Sequence, residues 1–104
     1  MKRVAILGST GSVGVQALDV AGRFPERFQV VGLAAGKNVA RLAEQVRRFH
    51  PKRVSVGDEA SARELRALAP AGTEVLAGDA GAVAVATDPD VDFVLAAISG
   101  GAGL

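Results

Sequence analysis

Near the start of this chain, Gly8-Ser9-Thr10-Gly11-Ser12-Val13-Gly14 lies between a short apolar run, Arg3-Val4-Ala5-Ile6-Leu7, and a helix-patterned stretch from Ser12 to Arg23. This order of strand, glycine turn and helix restricts the fold to those that open with a buried strand feeding directly into a helix packed on it. Glycines at 8, 11 and 14 let the backbone turn tightly and approach a pyrophosphate closely. The helix N-terminus behind them offers free N–H donors and a partial positive charge to an anion. Ser9, Thr10 and Ser12 add hydroxyl donors on the same turn. The competing reading is a turn that needs glycine only for its dihedral angles. The strand before the string and the helix after it favour nucleotide binding.

The alternation continues down the chain. A first helix over Ser12–Arg23 is expected to face Val13, Ala17, Val20 and Ala21 inwards, and Pro25 closes it. Phe28-Gln29-Val30-Val31-Gly32-Leu33-Ala34-Ala35 is a second apolar strand. Val39, Leu42, Val46 and Phe49 then recur at helical spacing, with Asn38 as N-cap, Pro51 as stop, and Arg47, Arg48 and His50 suiting the C-terminal end of the dipole. Arg53–Val56 is a short third strand. Asp58 caps a third helix with Ala62, Leu65 and Leu68 inwards. Glu74–Ala77 is a fourth strand, Gly81–Ala86 a short helix, and Asp92–Ile98 a fifth strand. Near-continuous apolar runs in the first, second and fifth strands imply burial on both faces, hence a parallel sheet. The expected fold is α/β, a Rossmann-type doubly wound parallel sheet of about five strands with flanking helices.

The end of the second strand bears on which nucleotide. In an NAD site an acid about 20 residues past the glycines accepts from the ribose hydroxyls. Here that place is Ala34-Ala35-Gly36-Lys37-Asn38, with no acid. A carboxylate would repel a 2′-phosphate, whereas Lys37 attracts one and Asn38 can donate to it. The stretch therefore reads as an NADP site. The plainer alternative makes Gly36 a turn, Lys37 a solvated charge and Asn38 a helix cap. Asn38 can serve in both ways.

Composition narrows the remaining classes. At 104 residues the chain is one small domain with one core. Apolar residues make up 49% and aromatics 4%, with no Cys, Trp or Tyr. A core of Ala, Val, Leu and Ile suits a sheet with closely packed helices. The missing cysteines remove disulfides, Cys-based zinc sites and thiol catalysis. A net charge of +1, with both signs interspersed, gives no electrostatic case for nucleic acid or an anionic membrane. No apolar run approaches the roughly 18 residues of a membrane span. The first strand starts too early to leave room for a signal peptide, so a cytoplasmic location is expected.

Other chemistry-bearing residues have plain readings. His50, the only histidine, sits beside Pro51 at a helix end and reads as a surface residue. Asp88, Asp90 and Asp92, interleaved with Pro89, read as turn formers and solvated charges rather than metal ligands. Asp58, Glu59, Arg63 and Arg66 read as a solvated helix face. No catalytic or metal-ligating set is expected within these residues. Ser99-Gly100-Gly101-Ala102-Gly103-Leu104 is a second Gly-rich loop. It leaves the fifth strand, a central one in such a sheet, where the nicotinamide half of a dinucleotide would lie. An ordinary Gly-rich loop is an equal reading there. The absence of a following helix, sixth strand or second domain suggests a truncated chain.

Taken together, the motifs resemble the N-terminal cofactor domain of the 1-deoxy-D-xylulose-5-phosphate reductoisomerase family, NADPH-dependent enzymes of non-mevalonate isoprenoid biosynthesis. Gly8-Ser9-Thr10-Gly11-Ser12-Val13-Gly14 resembles the family's opening motif, which usually has Ile at position 13. Ala35-Gly36-Lys37-Asn38-Val39 resembles its second motif. Ala96-Ala97-Ile98-Ser99-Gly100-Gly101-Ala102-Gly103-Leu104 resembles its post-strand loop, with Ser99 and Gly101 where Val and Ala are more usual. The likeness covers the whole chain. It implies that Thr10, Gly11, Ser12 and Val13 line the pyrophosphate turn, and that Gly36, Lys37 and Asn38 hold the 2′-phosphate end. It further implies an oxidoreductase that isomerises and reduces a phosphorylated ketose with a divalent metal (magnesium, manganese or cobalt). The metal ligands and substrate residues would lie beyond Leu104, and the full-length enzyme would be a homodimer. By this reading residues 1–104 alone are inactive. Two alternatives remain: the cofactor domain of another NADP reductase, of the semialdehyde-dehydrogenase or dihydrodipicolinate-reductase type, and a non-catalytic nucleotide-binding module.

Overall fold

β-Branched and aliphatic runs at Val4-Ala5-Ile6, Val30-Val31 and Val54-Ser55-Val56 form the middle of a pleated sheet, where such side chains pack best. The computed structural model describes residues 1–97. Along them strands and helices alternate: β1 (Lys2–Leu7), α1 (Ser12–Arg23), β2 (Phe28–Ala34), α2 (Val39–Phe49), β3 (Arg53–Val56), α3 (Glu59–Leu68), β4 (Glu74–Ala77), α4 (Gly78–Ala86) and β5 (Phe93–Ala96). The strands form one sheet in the order β4-β3-β2-β1-β5. Every pairing is parallel. The chain steps outward from β1 to β4, then returns across the sheet to lay β5 on the other side of β1. That reversal is the switch point of a doubly wound, Rossmann-like fold.

The main core lies between the sheet and α1, α2 and α3. Ile6, Leu18, Leu33, Leu42, Val46, Val54 and Leu65 meet there. The opposite face carries α4, whose Val85 sits against Gly32 and close to Ala5. Alternation along β1 sends Val4 and Ile6 to the first face and Ala5 to the second. The ladder between β1 and β2 slips by one residue: Val4 pairs with Val30, but Ala5 pairs with Gly32. At the start of β5, Asp92 is fastened to Arg3. The Arg3 amide donates to Asp92 Oδ2 at 2.9 Å, and the Asp92 amide donates to the Arg3 carbonyl at 2.7 Å.

Three expectations about burial need correction. In α1 the buried residues are Gly14, Leu18 and Ala21, whereas Val13 is 50% exposed and Val20 is exposed too. Gly14 dictates this rotation. A Cβ on it would lie 2.6 Å from Ser9 Cα, so only glycine can face the turn, and the helix is set accordingly. Leu68 is likewise exposed, because Ala62 and Leu65 already fill the inward face of α3. β5 is not central or covered on both faces among the described residues. It pairs only with β1, and Phe93 and Val94 are exposed. Leu95 and Phe93 border an apolar groove shared with Val4, Ile6, Ala17, Val20 and Phe28. α4 also starts earlier than expected, at Gly78. Ile98 and the loop Ser99–Leu104 lie outside the described residues.

Candidate functional site

Parallel strands end on the same edge, so the turns after β1 and β2 are neighbours. Gly8, at φ +78°, takes the left-handed conformation that bends the chain out of β1. The amides of Gly8 and Ser9 both donate to the Ala34 carbonyl at the end of β2, at 2.7 and 3.1 Å. The turn closes with the Gly11 amide on the Gly8 carbonyl at 3.2 Å. Gly11 is the N-cap of α1 in extended conformation, and the first helical bond runs from the Val15 amide to its carbonyl at 2.9 Å. No side chain caps this end. The amides of the first turn, from Ser12 onwards, therefore have no acceptor within the helix. α2 and α3 differ: Asn38 Oδ1 accepts from the Arg41 amide and Asp58 Oδ1 from the Ser61 amide. α4 is also uncapped, but it starts after β4 at the far edge of the sheet.

The two turns border one cavity of about 360 Å³, lined by Leu7, Gly8, Gly11, Ala34, Gly36 and Ala97, among others. Apart from Leu7 the lining is glycine and alanine, so a flat or phosphorylated ligand can come close to the main chain. Ala97 reaches it because its amide donates to the Leu7 carbonyl at 2.7 Å. The turn after β1 and Ala97, just past β5, thus both border the crevice, at the edge of the sheet where the strand order reverses.

Of the sequence-predicted site residues, Gly11 and Gly36 lie directly on this cavity. Thr10, Ser12 and Val13 flank Gly11 on the uncapped turn, and Lys37 and Asn38 follow Gly36 on the neighbouring one. Gly36 is fixed by its carbonyl, which accepts from the Gly57 amide at 2.8 Å. Lys37 is open to solvent, its side chain 79% exposed, with Nζ 3.7 Å from Asp58 Oδ2. The Ser61 amide, and then its hydroxyl, hold the Asp58 carboxyl below its ordinary pKa, with Lys37 adding to the effect. Lys37 therefore stands beside an ionised carboxylate at neutral pH. Asn38 spends Oδ1 on the helix cap, which leaves its Nδ2 donor outside the cap.

Ser9 is not a phosphate donor. It is fully buried, and its hydroxyl donates to Gln45 Oε1 at 2.8 Å. Gln45 Nε2 returns a bond to the Ser9 carbonyl at 2.8 Å. Sequence reasoning missed Gln45, although its position three residues after Leu42 and four before Phe49 puts it on the inward stripe of α2. It also missed Asp88. Far from being a solvated charge, its side chain is 4% exposed and lies 3.2 Å from both Lys52 Nζ and Arg53 Nη1. The turn role expected of it holds: Asp88 Oδ1 accepts from the Asp90 amide at 2.8 Å. His50 is exposed and ends α2 in the left-handed conformation, a full helix length from Asn38.

Known proteins place this architecture. The family model of 1-deoxy-D-xylulose 5-phosphate reductoisomerase matches residues 4–104. A protein of that description from Anaeromyxobacter sp. (strain K) is 78% identical over all 104 residues, which make up 27% of its own length. Another, from Prosthecochloris aestuarii, is 50% identical across the whole chain, again 28% of that protein. The chain thus spans about a quarter of the length of the curated relatives it matches. Among solved structures, a Zymomonas mobilis reductoisomerase described in complex with NADPH superposes with a TM-score of 0.86 at 37% identity, over 95% of this chain and 26% of that one. A DOX-P reductoisomerase in complex with NADPH, fosmidomycin and magnesium gives 0.87 at 33% identity, over 100% of this chain and 26% of that one. Sequence motifs, strand order and these matches agree: the chain belongs to the 1-deoxy-D-xylulose 5-phosphate reductoisomerase family.

Proposed function

We propose that residues 1–104 form the NADPH-binding domain of an oxidoreductase that isomerises and reduces 1-deoxy-D-xylulose 5-phosphate to 2-C-methyl-D-erythritol 4-phosphate. The observation that carries the cofactor reading is the pairing of two turns on one crevice. One is an uncapped helix N-terminus after β1. The other is the turn after β2, which has no acid of its own and bears Asn38 and Lys37, the lysine shared with Asp58 at 3.7 Å. The first suits a pyrophosphate and the second a 2′-phosphate. In this reading the amides at Thr10, Gly11, Ser12 and Val13 take the pyrophosphate. Gly36 leaves room for the adenosine end, while Lys37 and Asn38 hold its phosphate. The absence of any Cβ at Gly11, with the nearest other atom 3.6 Å from where one would sit, leaves the space such a group needs.

Bound NADPH supplies a hydride to the substrate. This chain's own residues would hold and orient the dinucleotide in the crevice that Gly8, Gly11, Gly36 and Ala97 line. The solved relatives described with magnesium and fosmidomycin support a divalent metal and a phosphorylated substrate for the whole enzyme. We place the residues for both, and a homodimer contact, outside this chain, and the enzyme in the cytoplasm.

The decisive experiment is cofactor preference in the full-length protein. NADPH binds more tightly than NADH, and Lys37→Asp reverses or abolishes that preference. The substitution removes a charge-assisted contact worth about 1.5–3 kcal/mol. Equal affinities for the two cofactors in the wild type would refute the reading.

A further inference from the structure

The two halves of the crevice belong to different elements, and one buried side chain ties them together. The pyrophosphate turn hangs between β1 and α1, while Lys37 and Asn38 sit at the head of α2. Gln45 lies on α2 seven residues past Asn38, about 10 Å along the helix axis. Its amide meets Ser9 at two points: Oε1 accepts from the Ser9 hydroxyl and Nε2 donates to the Ser9 carbonyl, both at 2.8 Å. The opposite amide orientation would set two carbonyl oxygens against each other, so the arrangement is unique. Both residues are buried, Ser9 at 0% and Gln45 at 8% exposure. On its other side Ser9 is held by the bond from its amide to Ala34. Ser9 also borders Gly14, whose bare Cα lets α1 rest on it.

We propose that Gln45 is a positioning residue that sets the spacing between the pyrophosphate turn and the 2′-phosphate turn. The proposal rests on the cofactor reading above. Apolar contacts along α2, through Leu42 and Val46, fix how deeply the helix packs but tolerate sliding and rotation. A two-point polar clasp in a low-dielectric interior does not, because any shift leaves buried donors and acceptors unpaired. The clasp acts on Ser9, one residue from Thr10, so a shift of α2 is passed directly to the turn. A ligand that spans both turns depends on their spacing. A ligand that touches only one does not.

The test uses the full-length protein, with NADPH as the spanning ligand and adenosine 2′-monophosphate as the one-ended ligand. Gln45→Met keeps the side-chain length and removes both polar atoms. It is expected to weaken NADPH by about tenfold, because the spacing of the two turns is no longer preset, while adenosine 2′-monophosphate stays within about twofold of wild type. Ser9→Ala, which removes only the hydroxyl, gives a smaller effect of about threefold with the same split. It keeps the question open to measurement should the first variant fold poorly. The double variant binds NADPH no more weakly than Gln45→Met alone, since both changes break one clasp. NADPH affinity unchanged in both single variants, or equal losses for the two ligands, overturns the proposal. Failure of the wild type to prefer NADPH over NADH would instead overturn the cofactor reading on which it rests.

Discussion

The glycines of the first turn are not equivalent, and a pair of substitutions separates their roles. An ideal Cβ on Gly14 falls 2.6 Å from Ser9 Cα and 2.9 Å from the Gly8 carbonyl carbon, and closer still to the Gly8 oxygen. To restore ordinary contact at 3.4 Å the turn must retreat by at least about 0.8 Å at Ser9 Cα, and further at the Gly8 oxygen. Ser9 is clasped by Gln45 and bonded to Ala34, so the retreat is resisted and the cost sits at the upper end of the overpacking range, about 3 kcal/mol. Replacing a helical glycine by alanine returns about 1 kcal/mol. Gly14→Ala should therefore lower stability by roughly 2 kcal/mol. Gly11 is the opposite case. At φ −79° and ψ 172° it is in extended conformation open to any residue, and its nearest neighbour would be the Gly8 oxygen at 3.6 Å. Gly11→Val should fold with a loss of only about 0.5–1 kcal/mol, from a poorer N-cap. It should raise the Kd for NADPH by about tenfold or more, because the branched side chain stands where a phosphate would approach. Denaturant unfolding, far-UV circular dichroism and NADPH titration by fluorescence measure all three quantities. Undiminished NADPH binding by Gly11→Val would show that this turn is structural only. Wild-type stability in Gly14→Ala would show that the close approach of α1 to the turn is wrong.

Two further expectations follow from charge and from the edge of the sheet. Backbone amides hold the carboxyls of Asp58, Asp88 and Asp92 below their ordinary pKa, with help from Lys37, from Lys52 and Arg53, and from Arg3 respectively. Their contribution to stability is thus complete above about pH 4 and is lost as pH falls through the lowered values. Asp88→Asn should lower Tm at pH 7 and flatten its decline between about pH 4 and 2, and an unchanged acid slope would count against the buried Asp88 pairings. A protein made of residues 1–104 alone should self-associate through the side of β5 that has no partner strand among the described residues, where Phe93 is 53% exposed, and should show no ketose-phosphate-dependent NADPH oxidation. A monomeric species by light scattering at high concentration, or turnover by repurified material, would contradict it.

The sequence made the element order legible because each strand is a short apolar run closed by Gly, Pro or a cap, and each signal is local. Asn38 and Asp58 cap their helices as their side-chain chemistry dictates. Facing was legible only where the helix is strongly two-sided. In α2 the stripe of Val39, Leu42 and Val46 is buried as expected. In α1 small residues surround the axis, and the inward face was decided by the tertiary contact at Gly14 rather than by periodicity. The same holds for Ser9 and Gln45. Serine in a glycine turn suggests a ligand donor, and glutamine on a helix suggests solvent. Each reading fails because the partner is 36 residues away. β5 reads as a strand buried on both faces from composition alone, but among the described residues it pairs only with β1 and exposes Phe93 and Val94, because burial depends on what packs against a strand rather than on its own pattern.

The fastening of Arg3 to Asp92 has a consequence for how the chain is made. β1 and its second neighbour β5 are fastened by residues 89 positions apart in the chain. At synthesis rates of roughly 5–20 residues per second, one side of β1 waits about 4–18 seconds for its partner. During that interval β1 can zip only to β2, and its other flank, with Val4 and Ile6 alongside, stays bare. Lys2 and Arg3 place two positive charges at the head of β1, that of Arg3 on the side β5 will take, a guard against pairing with a neighbouring nascent chain. When Asp92 arrives it cancels one of them and docks β5 in the same act, so the charge that protects the unfinished sheet becomes the latch that completes it.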